Sequence, residues 1–250
     1  FVRNKELVIV PGIYNAVTAM IAEDVGFKII YLGGAATTLG MGLPDLGIIS
    51  IKEMIYECEK IVRMTSSPLI CDGDTGYTDV SNTVRMFENS GASGIHIEDQ
   101  IEYKKCGHLS KISVIDREDM VKKIQKAIEA RKDPNFVIIA RTDARSAIDI
   151  EEMVQRANLY MEAGADMIFP EALRTKDEFQ FASSRIKAPL IANMTEFGKT
   201  AYLKASDFEN MGYRFVLFPV TTLRSSLKAV EETLIELKDN GTQMKMIHNN

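Results

Sequence analysis

Short hydrophobic runs alternate with longer amphipathic segments along the whole chain. The runs are rich in Val, Ile and Leu and are bounded by Gly, Pro or Asp, which is typical of buried parallel strands. We count eight of them, at residues 6–12, 28–34, 68–74, 94–99, 136–143, 165–171, 189–195 and 214–220. Segments with helical periodicity follow the strands, for example at residues 14–26, 51–64, 78–91 and 116–133. The pattern therefore predicts eight successive strand–helix units.

Eight such units without a linker favour a closed (β/α)8 barrel of the TIM type over an open doubly wound sheet, which stays the alternative. The 250 residues fit one barrel domain that spans residues 1–250. Glycines follow several predicted helices, where a left-handed residue would turn the chain towards the next strand. They are Gly26, Gly91, Gly164 and Gly212.

Composition narrows the classes of function. The chain carries 35 acidic and 30 basic residues, a net charge of −5, and has no basic stripe of the kind that nucleic-acid binding requires. No apolar run approaches the roughly 20 residues of a membrane span, so no membrane partner is expected. Three cysteines without metal-type spacing favour a reducing compartment. We therefore expect a cytoplasmic protein that acts on small molecules.

Polar side chains collect where the predicted strands end, which is where a barrel builds its active site. Asp72 and Asp74 end the third strand, and alternation points both carboxylates to the same side. This pair suits a hard divalent cation bound by oxygen ligands. His96 and Glu98 end the fourth strand, either as a structural network or as groups around the ion.

The later strand ends add groups that bind anions. Arg141 ends the fifth strand and Glu171 the sixth, and Asn193 and Thr195 follow on the seventh. Together with a cation they suit a small polyanion that bears carboxylate and hydroxyl groups, although a phosphate ester would also fit. The chain has neither a P-loop nor a dinucleotide fingerprint, so a nicotinamide cofactor is not supported.

A long, polar and locally basic segment follows the fourth strand, at residues 100–114. Loops of this length are often lids or binding loops. It contains Cys106 within Lys104-Lys105-Cys106-Gly107-His108, and neighbouring positive charge lowers the pKa of a thiol towards neutrality, as a proton donor requires. The alternative is a solvated surface loop with an incidental cysteine. Cys58 and Cys71 are predicted to be inert packing residues, and a second long connection is expected at residues 35–50.

This cysteine segment resembles the signature of the isocitrate lyase and phosphoenolpyruvate mutase superfamily, and more narrowly of its compact 2-methylisocitrate lyase branch. Matching motifs follow in order along nearly the whole chain. They are Pro11-Gly12, Gly42-Leu43-Pro44-Asp45-Leu46-Gly47, Asp72-Gly73-Asp74-Thr75-Gly76, His96-Ile97-Glu98-Asp99-Gln100, Ala140-Arg141-Thr142-Asp143, Phe169-Pro170-Glu171-Ala172, Ala192-Asn193-Met194-Thr195-Glu196-Phe197-Gly198 and Gly241-Thr242-Gln243. The short chain and the residues Phe169, Leu217 and Pro219 point to the compact branch.

The resemblance implies a role for each motif residue. It implies Mg²⁺, with Mn²⁺ as a substitute, held by Asp72 and Asp74 with Asp45, Glu98 and His96 around it. It implies Cys106 as the general acid, with Arg141 and His108 beside it and Tyr31 either as base or as a packing residue. Substrate binding is implied for Gly33, Gly34, Ala35, Gly107, Glu171, Asn193, Thr195 and Arg224. Relatives have Ser-Gly-Gly where this chain has Gly33-Gly34-Ala35, so a hydroxyl that could bind a carboxylate is missing.

The reaction implied by the resemblance is cleavage of 2-methylisocitrate to pyruvate and succinate, a step of propionate breakdown by the methylcitrate cycle. Isocitrate or 2,3-dimethylmalate cleavage and oxaloacetate hydrolysis stay open as alternatives, and so does an inactive metabolite-binding barrel. Cys106 argues against the phosphonate mutases, which lack it. The resemblance also implies a homotetramer, in which dimers exchange the last helix, at residues 222–240, and then pair.

Overall fold

The computed structural model describes residues 2, 6–101 and 112–247. Within this part of the chain, eight parallel strands form one sheet. The strands are β1 Val8–Ile13, β2 Ile30–Leu32, β3 Leu69–Asp72, β4 Gly94–Glu98, β5 Val137–Thr142, β6 Met167–Pro170, β7 Ile191–Asn193 and β8 Phe215–Phe218. They pair in the order β6-β5-β4-β3-β2-β1-β8-β7. An isolated parallel bridge from Ile168, on β6, to Leu190, just before β7, connects the two ends of this order. The predicted barrel is thus confirmed over the open sheet.

Helices alternate with the strands and cover the outside of the barrel. Those with helical periodicity in the sequence begin and end within a few residues of the predicted limits. The helices of the described residues are α1 Ala16–Val25, α2 Gly34–Gly40, α3 Ile51–Val62, α4 Val80–Asn89, α5 Arg117–Ala130, α6 Ala144–Ala147, α7 Ile150–Glu162, α8 Lys176–Arg185, α9 Ala205–Asn210, α10 Thr221–Asn240 and α11 Met244–Ile247. None of them is both long and apolar enough to cross a membrane.

Alternation along the strands divides the core into two layers. One side of each strand faces the interior of the barrel, where Val10, Tyr31, Ile139, Phe169 and Leu217 pack together. The other side packs against the helices and forms the larger of the hydrophobic clusters. The barrel interior is therefore filled by side chains, and open space for chemistry lies at the strand ends.

Helix α2 was not predicted, because residues 28–34 were expected to be strand and residues 35–50 a connection. Strand β2 ends at Leu32, and the helix begins at Gly34. The hydroxyl of Thr37 donates to the Gly33 carbonyl and that of Thr38 to the Gly34 carbonyl, both at 2.8 Å. These short side chains stabilise a turn that the hydrophobic pattern does not reveal.

The predicted glycine at the end of a helix is confirmed clearly at Gly26. It has a φ of 98°, and its N–H donates to the Ala22 and Glu23 carbonyls. A residue with a Cβ is strained in this left-handed conformation, so glycine is favoured where the chain reverses towards β2.

The last long helix, α10, agrees with the predicted residues 222–240. Leu223, near its beginning, is its one buried residue, so most side chains of the helix are half-buried or exposed in the single chain. Exchange of this helix between subunits stays a prediction.

Candidate active site

Three side chains at neighbouring strand ends form a candidate metal site. Asp72 ends β3, and His96 and Glu98 lie on β4, where His96 is in register with Asp72. Each of the three offers one ligand atom, and these atoms lie within 4.8 Å of one another. The His96 Nε2 to Asp72 Oδ1 distance is 3.4 Å. The predicted gathering of these residues at the barrel mouth is therefore observed.

Backbone groups hold Asp72 in place. Its Oδ2 accepts a hydrogen bond of 3.0 Å from the Gly34 N–H, and its Oδ1 accepts one of 2.9 Å from the Asp74 N–H. Gly73 donates to the His96 carbonyl at 2.9 Å, and a Cβ at Gly73 would lie 2.7 Å from that oxygen. Glycine at this position thus lets β3 and β4 approach closely enough to bring Asp72 beside His96.

Asp74 and Asp45 accompany this cluster. Asp74 is buried next to Asp72, with a left-handed φ of 52°, and its carbonyl accepts a hydrogen bond of 2.9 Å from the Glu98 N–H. Asp45 is half-buried and lies near enough for its charge to raise the pKa of Glu98. All five predicted metal residues therefore lie in one region.

Glu98 is the least compensated charge of the site. Burial raises the pKa of its carboxyl well above the ordinary value; Arg141 opposes this effect, and Asp143, Asp72 and Asp45 reinforce it. Its exposure is 0%, and neither carboxylate oxygen accepts a hydrogen bond within the described part of the chain. The nearest positive charge, Arg141 at 3.3 Å, is shared with Asp143 and Glu171, so this buried carboxylate is only partly compensated. The donor set therefore fits a divalent cation.

His96 and Tyr31 form the floor of the site. The Tyr31 hydroxyl and His96 Nε2 are 2.8 Å apart, and the two rings stack with centroids 5.8 Å apart. Burial lowers the pKa of His96, which favours the neutral imidazole that a metal ligand requires. Burial and the charge of Asp72 raise the pKa of Tyr31 well above its ordinary value. Tyr31 can therefore lose its proton only with positive charge nearby.

Arg141 faces the metal cluster from β5. Its guanidinium donates two parallel hydrogen bonds to Asp143, from Nε at 2.9 Å and from Nη2 at 3.0 Å. Its Nη1 lies 3.3 Å from Glu98 Oε2, and its Nε lies 3.9 Å from Glu171 Oε2. Burial would lower the pKa of this group, but the charges of Asp143, Glu98 and Glu171 outweigh burial and hold it well above the ordinary value. Arg141 is thus a permanent cation, and its side chain is only 11% exposed.

Glu171 and Asn193, two further predicted binding residues, lie next to each other beside Arg141. Asn193, at the end of β7, donates from Nδ2 to the two carboxylate oxygens of Glu171, at 3.3 Å and 3.1 Å. The amide oxygen of Asn193 is buried and has no hydrogen-bond partner among the described residues. Glu171 and Asn193 are therefore brought to Arg141 as the sequence predicted, and the amide oxygen can accept a hydrogen bond from a ligand.

The remaining predicted binding residues lie further out. Gly33 precedes α2 and Ala35 lies in its first turn, beside the Gly34 amide that binds Asp72. Thr195 is half-buried beyond β7, and no hydrogen bond of the described residues joins it to the cluster. Arg224, on α10, pairs with Glu196 Oε2 at 3.1 Å and lies over the Phe197 ring. Arg224 therefore does not join Arg141 in this structure.

Cys106, Gly107 and His108 lie outside the described residues. The chain on either side of that segment is paired, because Gln100 bridges Val114 and the Ile101 N–H donates to the Ser113 carbonyl at 3.1 Å. The other two cysteines, Cys58 and Cys71, are buried free thiols in the hydrophobic core, in agreement with their predicted packing role.

Sequence reasoning missed part of the support of this site. Asp143 was read only as part of a motif, although its position two residues after Arg141 places both on the same side. Asp99 was likewise read only as part of a motif. Arg156 and Tyr160 were missed altogether; both are buried on α7, and their spacing of one helical turn was the available signal.

Comparisons with known proteins agree with this arrangement. The profile of the family described as phosphoenolpyruvate phosphomutase matches residues 1–238. A 2-methylisocitrate lyase of Aeropyrum pernix is 49% identical over 249 residues, which cover 98% of this chain and 80% of that protein. A structure of oxaloacetate acetylhydrolase with 3,3-difluorooxalacetate superimposes with a TM-score of 0.91 at 35% identity, covering 96% of this chain and 84% of the other. A structure of 2,3-dimethylmalate lyase gives 0.91 at 33% identity, with coverages of 96% and 82%. The predicted superfamily is confirmed, and the chain belongs to the phosphoenolpyruvate phosphomutase family.

Proposed function

We propose that the protein is a magnesium-dependent carbon–carbon lyase that cleaves 2-methylisocitrate to pyruvate and succinate. The observation that carries the proposal is the 3.3 Å contact between Glu98 and Arg141, which joins the candidate metal site to a largely buried guanidinium. A cation and a guanidinium side by side suit a substrate with several carboxylates and a hydroxyl. The choice of 2-methylisocitrate is supported by the relative of that name, which is 49% identical.

The metal would be held by Asp72, Glu98 and His96, with Asp74 and Asp45 close by. Carboxylate oxygens dominate this set, which favours Mg²⁺, with Mn²⁺ as a substitute. The Glu98 carboxylate, buried without a hydrogen bond among the described residues, is the group that such an ion would stabilise. When bound, the ion would stabilise negative charge that develops on oxygen atoms of the substrate.

Arg141 and Asn193 would bind and orient the substrate. Arg141 is held in one plane by Asp143, so its remaining N–H groups can face a carboxylate or a developing oxyanion without reorganisation. The buried amide oxygen of Asn193 can accept a hydrogen bond from a substrate hydroxyl. Glu171 orients the Asn193 amide and adds a negative charge that helps to keep Arg141 protonated.

The reaction requires one proton to leave and one to arrive. The substrate hydroxyl loses its proton, the adjacent carbon–carbon bond breaks, and the carbonyl of pyruvate forms. The bonding electron pair passes to the dicarboxylate as an enediolate, and the proton of the Cys106 thiol goes to its carbon to give succinate. Tyr31 as the base, and the roles of His108 and Gly107, stay predictions.

The decisive assay follows pyruvate and succinate release from 2-methylisocitrate, with and without Mg²⁺, for the wild type and for Cys106→Ser. We expect metal-dependent release, and a fall in kcat of about 10²-fold in the variant, because a positioned proton donor contributes at least this much. Cys58→Ser is the matched control, since Cys58 is a core thiol paired with Ser90 at 3.0 Å, and it is expected to keep its activity.

Other substrates are tested in the same experiment. Isocitrate, 2,3-dimethylmalate and oxaloacetate are offered in parallel, the last two because structures of enzymes that act on them superimpose closely. A methyl pocket discriminates by only about 1–3 kcal/mol, so some cleavage of isocitrate is compatible with the proposal. Folded protein that leaves 2-methylisocitrate intact contradicts it, and protein inactive on all four compounds supports a metabolite-binding barrel instead. A cytoplasmic location and a place in propionate breakdown stay predictions.

We also propose that the protein forms dimers through exchange of α10, and that the dimers pair into a homotetramer. The helix is 20 residues long, and five of its large apolar residues are exposed by between 44% and 59% in the single chain. Patches of this kind on a surface usually mark an interface between proteins. The residues are Leu227, Val230, Leu234, Ile235 and Leu237.

A charge placed on this helix tests the assembly. Leu234→Lys is expected to shift the protein from tetramer towards monomer in light scattering after gel filtration, because a buried unpaired charge destabilises an interface. Glu231→Lys changes the charge of the same helix without removing apolar surface, and we expect it to stay assembled. A wild type that is monomeric at micromolar concentration would contradict the proposal.

A further inference from the structure

A buried network lies behind Arg141, away from the predicted substrate side. Asp99 directly follows β4 and has an exposure of 0%. Its backbone N–H donates to the Arg141 carbonyl at 3.2 Å, and its Oδ1 accepts a hydrogen bond of 2.9 Å from the Asp143 N–H. Asp99 therefore fixes the backbone at Arg141 and at the residue that holds the Arg141 side chain.

The second carboxylate oxygen of Asp99 is held by helix α7. The Tyr160 hydroxyl donates to Asp99 Oδ2 at 2.8 Å, and Arg156 Nη1 lies 3.3 Å from the same atom. Arg156 also donates to the Tyr160 hydroxyl oxygen at 3.1 Å and to the Ile115 carbonyl at 2.8 Å. Arg156 and Tyr160 are four residues apart, so they lie on the same face of the helix.

The negative charge of Asp99 requires that the donors around it stay in place. A carboxylate with no exposure must have its oxygens satisfied by donors, and here the donors come from two directions. The Asp143 N–H holds one oxygen, and the Tyr160 hydroxyl and Arg156 hold the other. Without the Tyr160 hydroxyl, only the longer 3.3 Å contact with Arg156 holds this oxygen from α7, so Asp99 is fixed less firmly and can shift together with the Asp143 backbone. Asp143 binds Arg141 through two parallel hydrogen bonds, so the guanidinium would move with it.

We propose that Tyr160 and Arg156 are positioning residues for Arg141, acting through Asp99 and Asp143 without touching the substrate. This inference rests on the proposed function, since it takes Arg141 to bind the reacting groups. Displacement of an oriented group by a fraction of an ångström to one ångström lowers the rate of an enzyme by up to about 10²-fold. The two α7 residues would thereby affect the rate from outside the site.

The test compares two buried tyrosines. Tyr160→Phe removes the hydrogen bond to Asp99, whereas Tyr213→Phe removes one to the Phe179 carbonyl, of 3.0 Å, in another part of the core. The two rings are similarly buried, with exposures of 0% and 1%. We expect similar losses of thermal stability, but only Tyr160→Phe is expected to lower kcat, by about tenfold, and to weaken the binding of succinate, because both depend on the placement of Arg141. Equal kcat values for the two variants would overturn the inference.

A double-mutant cycle separates positioning from a general structural role. If Tyr160 acts through Arg141, Tyr160→Phe causes no further loss of kcat/KM in an Arg141→Lys background. Additive losses would overturn the inference. The affinity for succinate gives a second readout. It is measured by calorimetry for the wild type, the two single variants and the double variant, and Tyr160→Phe is again expected to have no further effect in the Arg141→Lys background. A wild type that cleaves none of the four substrates would refute the proposed function, and the succinate cycle would still show whether Tyr160 positions Arg141.

Discussion

Glu98→Gln is expected to impair metal-dependent cleavage severely and, at the same time, to stabilise the metal-free protein. Glu98 is fully buried, its carboxylate accepts no hydrogen bond among the described residues, and burial raises its pKa well above the ordinary value. An amide of the same shape carries no charge to desolvate. Arg141 keeps Asp143 and Glu171 as partners in the variant, so its own charge stays compensated.

The variant is expected to raise the stability of the metal-free protein but to lower its catalytic efficiency. Without metal, the free energy of unfolding should rise by about 1 kcal/mol or more, as replacement of a costly buried charge allows. With Mg²⁺ and 2-methylisocitrate, kcat/KM should fall by about 10³-fold, because a metal supplies several kcal/mol of charge stabilisation. The rise in melting temperature that Mg²⁺ causes in the wild type should also disappear, since a bound ion stabilises only the folded state.

Asp166→Asn is the matched control for this variant. Asp166 precedes β6 at the opposite end of the barrel, where Arg131 binds its Oδ2 at 2.6 Å. Its replacement should lower stability equally with and without Mg²⁺ and leave catalysis unchanged. If Glu98→Gln destabilises the metal-free protein while Mg²⁺ still raises its melting temperature, Glu98 is a structural partner of Arg141 and the proposed metal site is wrong.

The strands and the residues at their ends could be predicted because the alternation of hydrophobic and polar residues is a local feature of the sequence. Alternation shows that Asp72 ends a buried strand, and that His96 and Glu98 share one side of the next. In a parallel barrel, successive strand ends meet at one mouth, so their polar groups converge whatever the loops do. The convergence of these three residues therefore needed only the order of the strands and the direction of the side chains, whereas the place of Asp45 in the site was predicted only from the family resemblance.

Partners distant in the sequence could not be predicted in the same way. Asp99 bonds to Arg156 and Tyr160, which are 57 and 61 residues further along the chain. Such a pairing depends on how far α7 is shifted and rotated against the strands, and periodicity fixes neither quantity. Helix α2 was missed for a different reason: its hydroxyl-to-carbonyl bonds from Thr37 and Thr38 stabilise a turn in a segment without an amphipathic pattern.

Arg141→Lys is expected to lower kcat/KM by about 10³-fold while the protein stays folded. A lysine keeps the positive charge that Asp143, Glu98 and Glu171 require, so no cluster of uncompensated buried carboxylates is left. Its single ammonium cannot maintain two parallel bonds to Asp143 and also face the substrate. The oriented donor is therefore lost, and loss of one such donor typically costs 10²–10³ in rate.

Arg145→Lys is the control for the replacement of a paired arginine by lysine. Arg145 lies on α6 and binds Glu178 through two hydrogen bonds, of 3.1 Å and 2.6 Å, in the same paired geometry as Arg141 with Asp143. Steady-state kinetics and thermal unfolding of the two variants should show similar changes in stability but a rate loss only for Arg141→Lys. If Arg141→Lys kept nearly full activity, a point charge would suffice at this position, and both the oriented guanidinium and its support from α7 would be refuted.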